Sequence, residues 1–178
     1  MQNHTQETQQ FLTFAVGGEE YAVSILKVRE IIEFGIVTVV PNTPPWMRGV
    51  INLRGSVIPV VDLAVKFGLP ASQAGKLSCV VILEVATGDD ALVLGVLTDS
   101  VSQVLDFTAD DIKPTPSFGT RVKPEYLLGM GVVGEKFNLI LDVDKVLSVD
   151  ELVAVEDSLE ADGAVAISTG SLPAQAEA

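Results

Sequence analysis

Apolar residues come in short runs separated by turn-forming residues, a spacing that predicts strands far more often than helices. Phe11-Leu12-Thr13-Phe14-Ala15-Val16 passes through Gly17-Gly18-Glu19-Glu20 into Tyr21-Ala22-Val23, the pattern of a hairpin. The runs at residues 56–61, 79–83, 92–97 and 137–141 are rich in β-branched residues and predict further strands. Pro59 cannot donate to a ladder, which predicts an edge or a bulge there. Residues 24–32 fit two templates: Ile25, Val28, Ile31 and Ile32 suit a helical face, while their branching suits a strand. Thr108-Ala109-Asp110-Asp111 can start one helical turn. Ser148-Val149-Asp150-Glu151 has capping-box form and predicts a C-terminal helix with Val149, Leu152, Val153 and Leu159 as its apolar stripe. Such a chain is mainly β, with few short helices, built as small barrels or a sandwich.

Compared with itself, the chain is duplicated. An offset of 80 aligns Pro44 with Pro124, Trp46 with Tyr126, Met47 with Leu127, Gly49 with Gly129 and Asp62 with Asp142. Upstream, an offset of 73 aligns Val23 with Val96, Val28 with Val101, Ile31 with Val104 and Ile32 with Leu105. The difference places seven extra residues between Leu105 and Pro124. Neither half would bury much core alone, so two lobes are expected to pack together with a groove between them. Their expected bounds are roughly 18–78 and 79–147, with the first strand free to cross over. Residues 1–9 read as a flexible tail, and residues 160–178 as a disordered tail rich in Ala, Ser and acid.

Charge narrows the partners. Of 178 residues 48% are hydrophobic and 20% charged, which fits a folded chain, and the net charge of −13 repels phosphate backbones and anionic lipid. Nucleic acid and direct membrane insertion are therefore poor expectations. Lys145 is the last basic residue, and the seven carboxylates that follow it supply about half of the net charge. The single Cys79 excludes an intrachain disulfide and a thiolate metal cluster. With no signal-peptide pattern at the start and no run of about 20 apolar residues, the chain reads as cytoplasmic.

Catalytic chemistry is hard to assemble. His4, the only histidine, lies in the tail, so no histidine base can be held beside a nucleophile. Asp62 and Asp142 end equivalent strands, which favours turn or capping roles over a carboxylate pair. A small-ligand barrel or carboxylate enzyme remains the rival class. Binding surfaces are better supported. In Val28-Arg29-Glu30-Ile31-Ile32-Glu33, regular alternation puts Val28, Glu30 and Ile32 on one face and Arg29, Ile31 and Glu33 on the other. Glu30 among apolar residues calls for a cation, and Arg54 in the Asn52-Leu53-Arg54-Gly55 turn can supply it. Two readings stay open: a surface pair worth little, or the rim of a groove that receives a helix. The seven-residue insertion carries Lys113-Pro114-Thr115-Pro116-Ser117-Phe118, whose Phe118 either folds back on its lobe or anchors an interface.

A family resemblance is carried by Phe11-Leu12-Thr13-Phe14 with Glu19-Glu20-Tyr21-Ala22-Val23, then Ile25-Leu26-Lys27-Val28-Arg29-Glu30-Ile31, and by Asn42-Thr43-Pro44 followed by Arg48-Gly49-Val50-Ile51-Asn52-Leu53-Arg54-Gly55 and Ile58-Pro59-Val60-Val61-Asp62-Leu63. Over residues 10–155 the chain resembles the CheW family of chemotaxis coupling proteins. The resemblance implies two SH3-like β-barrel lobes and a non-catalytic scaffold, without cofactor or metal, beneath the inner membrane. Its implied partners are the cytoplasmic hairpin tip of methyl-accepting chemotaxis receptors and the regulatory domain of the histidine kinase CheA. On matching positions the implied receptor groove is Val28, Glu30, Ile31, Arg54 and Gly95, and the implied kinase contact is Lys113 and Phe118. An adaptor of a related chemosensory system, for surface motility or gene regulation, is the alternative within this class.

Overall fold

Gly17 and Gly18 turn the chain at φ of 59° and 85°, and β1 (Gln9–Val16) pairs antiparallel with β2 (Glu19–Ser24) as the hairpin pattern predicts. The computed structural model describes residues 7–87, 89–115 and 122–147, together with residues 151, 153, 154 and 157. Both templates that compete for residues 24–32 are realised in succession. Ser24 caps a single 3-10 turn, Ile25–Lys27, and β3 (Val28–Glu33) follows. The chain continues through β4 (Met47–Leu53), β5 (Ser56–Asp62), α1 (Leu63–Lys66), β6 (Cys79–Thr87), β7 (Asp90–Thr98) and β8 (Ser100–Phe107). A 3-10 turn at Ala109–Asp111, where one helical turn is expected, leads to β9 (Ile112–Lys113). A further turn, Pro124–Tyr126, precedes β10 (Leu127–Val133), β11 (Lys136–Leu141) and α2 (Val143–Val146).

These strands form two sheets, ordered β8-β1-β2-β11-β10-β9 and β3-β6-β7-β5-β4. Each repeats the other's plan. Two β-bulges recur at equivalent places: Arg29 in β3 and Ser102 in β8 are each the extra residue against their partner strand, as are Arg48 in β4 and Leu128 in β10. A Cβ on Gly49 would sit 2.3 Å from the Thr38 carbonyl oxygen, and one on Gly129 2.8 Å from that of Lys113, so both twin positions need glycine. Asp62 and Asp142 each accept a hydrogen bond from the backbone N–H two residues on, at 3.0 and 3.2 Å, and cap α1 and α2. These are the roles their positions predict.

The sheets do not divide the chain near residue 79. Each repeat gives its first hairpin, β1–β2 or β6–β7, to the sheet that holds the last strands of the other repeat. Among the described residues only β2 with β11 and β5 with β7 pair in parallel, and these pairings join the donated hairpins to their hosts. The space between the sheets is also largely filled, leaving an apolar cavity of about 20 Å³ among residues that include Phe14, Val23 and Val96. That space holds the largest apolar cluster, with Phe14, Val23, Val61, Leu83, Val96 and Leu141 among its members. Smaller clusters lie on the far sides of the sheets, around Ile58, Val80 and Leu97 in one lobe and Phe11, Phe107 and Ile140 in the other. A groove between the lobes is thus confined to the margins of a common core. Pro59 lies in a strand flanked on both sides, against expectation. It is tolerated because the ladder to β7 begins only at Val60, so at Pro59 the strand is paired on the β4 side alone.

The end of the chain is described only in part. Glu151, Val153, Ala154 and Asp157 are helical, and Val153 is exposed where an apolar stripe is expected. The capping residues Ser148, Val149 and Asp150, with Leu152 and Leu159, lie outside the described residues, as do the tails at 1–6 and 158–178.

Candidate protein-binding rim

β3 is an edge strand of its sheet, and the bulge at Arg29 changes which of its residues share a face. Directly opposed residues in an antiparallel pair point to the same side. Val28 lies opposite Leu83 and Ile31 opposite Val81, both members of the common core. Glu30 lies opposite Ile82 and Ile32 opposite Val80, which belong to the lobe's own cluster. The alternation expected from the sequence is therefore shifted by one residue. Val28 and Ile31 line the margin between the lobes, whereas Glu30 and Ile32 face the lobe interior. Val28 packs against the common core and Ile31 remains exposed.

Glu30 and Arg54 do meet. The Arg54 guanidinium donates to the Glu30 carboxylate, and their side chains are 72% and 30% exposed respectively. Glu30 raises the Arg54 pKa further above its ordinary range, through the hydrogen bond first and its charge second. Arg54 adopts φ of 51°, a left-handed conformation that is strained for a side chain of this kind. In the other repeat the same turn position holds Gly134, at φ of 59°, and Glu30 has Gln103 as its twin. The strained residue and its partner thus occur on one rim only. On the neighbouring surface Arg29 and Glu84 form a second exposed pair at 3.3 Å.

Gly95 is not exposed at this rim. It shares a cross-strand row with Ile82 and Glu30, but a Cβ there would lie 2.5 Å from Val80 Cγ1. The close approach that requires glycine comes from the lobe's own packing. Lys113 is exposed on β9, opposite Met130, and Phe118 lies outside the described residues. Both carboxylate oxygens of Asp62 are engaged. One oxygen accepts the Ala64 N–H and the Ser72 hydroxyl, and the other accepts the Ser72 N–H at 2.9 Å and faces Arg48 at 3.6 Å. The carboxylate ties the loop after α1 to the sheet.

Leu26 and Leu128 are exposed apolar residues that the pattern along the chain does not single out. They flank an open depression also lined by Phe11, Ile112 and Ile140. A signal exists for Leu128 in the duplication, where its twin at the bulge is Arg48, so leucine replaces a residue of the opposite character.

A family description reading CheW-like domain matches residues 10–151. The chain belongs to the CheW family. Among its relatives it is 40% identical to the chemotaxis protein CheW of Klebsiella aerogenes, over 84% of this chain and 87% of that one. It is 30% identical to a probable chemotaxis protein CheW of Rhizobium etli, over 82% and 92% respectively. Protein FrzA of Myxococcus xanthus is 32% identical over 68% of this chain and 73% of its own length. The crystal structure of the scaffolding protein TtCheW from Thermoanaerobacter tengcongensis superposes with a TM-score of 0.73 at 26% identity, covering 85% of this chain and 95% of that one. The mainly β, two-sheet architecture is the CheW fold. No helix among the described residues is long and apolar enough to cross a membrane.

Proposed function

We propose that this CheW-family chain is a non-catalytic scaffold of chemotaxis signalling that couples methyl-accepting receptors to the kinase CheA. The rim formed by Val28, Glu30, Ile31 and Arg54 receives the helical hairpin tip of the receptor, with Gly95 supporting it from within the lobe. Lys113 and the loop carrying Phe118 meet the regulatory domain of CheA, and the complex works in the cytoplasm at receptor arrays. The supporting observation is Arg54, which holds an unfavourable backbone conformation where the twin repeat uses glycine. Strain confined to one of two equivalent turns is expected where a side chain must be aimed for recognition. Coupling would be geometric: holding receptor tip and kinase together shifts the kinase between states through contacts that differ between them.

The test is kinase activity reconstituted with receptor, with and without this protein, alongside pull-downs on receptor tip and CheA regulatory domain. Receptor-dependent activation and binding to both are expected. Binding to neither would refute the proposal.

A further inference from the structure

Lys66, the last residue of α1, keeps a charged side chain that is only 9% exposed. Its Nζ donates to the Glu151 carboxylate and lies 5.4 Å from the centre of the Trp46 ring system and 5.8 Å from that of Tyr126. Trp46 and Tyr126 are the aromatic twins of the duplication. Trp46 enters β4 in one sheet and Tyr126 enters β10 in the other, and their carbonyls accept the equivalent Asp62 and Asp142 N–H groups at 2.7 and 2.8 Å. One ammonium thus contacts one ring from each lobe. The position equivalent to Lys66 in the second repeat is Val146, which is buried in the common core. The two repeats have thus diverged at the place where they meet, and Lys123 also lies 5.9 Å from the Tyr126 ring.

An ammonium withdrawn this far from water needs an anion, and the ring faces supply only part of the compensation. Glu151 provides the charge from the helical residues beyond α2. We infer that Lys66, Trp46, Tyr126 and Glu151 form a clasp that ties the helical residues Glu151, Val153, Ala154 and Asp157 to both lobes and opens locally, without unfolding either sheet. With the pair intact, Trp46 is buried as a member of the common core with the Lys66 ammonium against its ring. When it opens, the helical residues 151, 153, 154 and 157 lose this tie to the lobes and Lys66 can leave the face of the Trp46 ring. The inference does not depend on receptor or kinase binding.

Trp46 is the only tryptophan in the chain and reports on the clasp directly. Hydrogen exchange and acrylamide quenching would be measured on the full chain, on Glu151→Gln, on Lys66→Met and on the double variant. Each single change is expected to speed exchange at the amides of residues 151, 153, 154 and 157 about tenfold or more, the effect of losing one charge-assisted hydrogen bond. Quenching of Trp46 should rise while amides in β6 and β7 keep their wild-type rates. The double variant should add little to either single one, because both remove the same interaction. Unchanged exchange and quenching in Glu151→Gln would overturn the clasp. Equal acceleration of every amide would overturn it too, since the pair would then support only the fold as a whole.

Discussion

Arg54 and Gly134 occupy the same turn of two equivalent hairpins, and only the arginine carries a backbone penalty. Replacing Arg54 with glycine should therefore change the thermal midpoint little, because relief of a strained position offsets the loss of a partner by the largely covered Glu30. Receptor binding should fall sharply in the same variant. A clear drop in the midpoint with binding retained would make Arg54 a stability residue. The twin aspartates give a second contrast. Asp62→Asn sets an amide NH2 against donors of Ala64 or Ser72 in a buried site and should cost about 1–3 kcal/mol in urea unfolding. Asp142→Asn should cost less than about 1 kcal/mol, since asparagine caps a helix nearly as well. The Glu30–Arg54 pair is legible because Glu30 is the one charge on its expected face of the strand and demands a partner. The faces of β3 are not, because the bulge at Arg29 inserts a residue that hydrophobicity alone does not mark.

Among the elements, the strands read most easily were those with uninterrupted β-branched runs, such as β6 and β7. Strands β4, β8 and β10 escaped notice. Arg48 and Leu128 at their bulges, followed by Gly49 and Gly129, break the alternation that identifies a strand. The turn at Ala109–Asp111 was readable from its cap. The Thr108 N–H donates to the Asp111 carboxylate at 2.8 Å and the Thr108 hydroxyl at 3.0 Å. Together these hold the Asp111 pKa below its ordinary value of 3.8, the backbone N–H first. Because the folded value lies below the unfolded one, this contribution is present above the ordinary carboxylate range and is lost as pH falls through the folded value. The Thr108 amide resonance should accordingly titrate with a midpoint below 3.8. A midpoint at or above that value would mean that the cap is not formed in solution.

For the molecule as a whole, each lobe's sheet contains strands from both repeats, and the sheets share their largest core. The pattern of the chain revealed the duplication but not the exchange of hairpins. Equivalent strands carry equivalent residues whichever sheet receives them, so periodicity cannot say which hairpin joins which sheet. Residues 28–98 supply all five strands of one sheet, yet Val61, Val81, Leu83 and Val96 would face water without the other lobe. That fragment should fail to fold alone, and the whole chain should unfold in one transition by fluorescence and circular dichroism alike. Two separated transitions would show independent lobes.

The exchanged hairpins also bear on ancestry and on concentration. A half-length chain carrying one repeat could complete such a sheet only by lending its hairpin to a second copy and accepting that copy's in return. Its folding would then depend on how much of it was present. Joining two such halves head to tail turns that mutual loan into an intramolecular event at fixed effective concentration. The joined halves are also free to differ, so Arg54 and Lys66 can each be present in one and absent from the other.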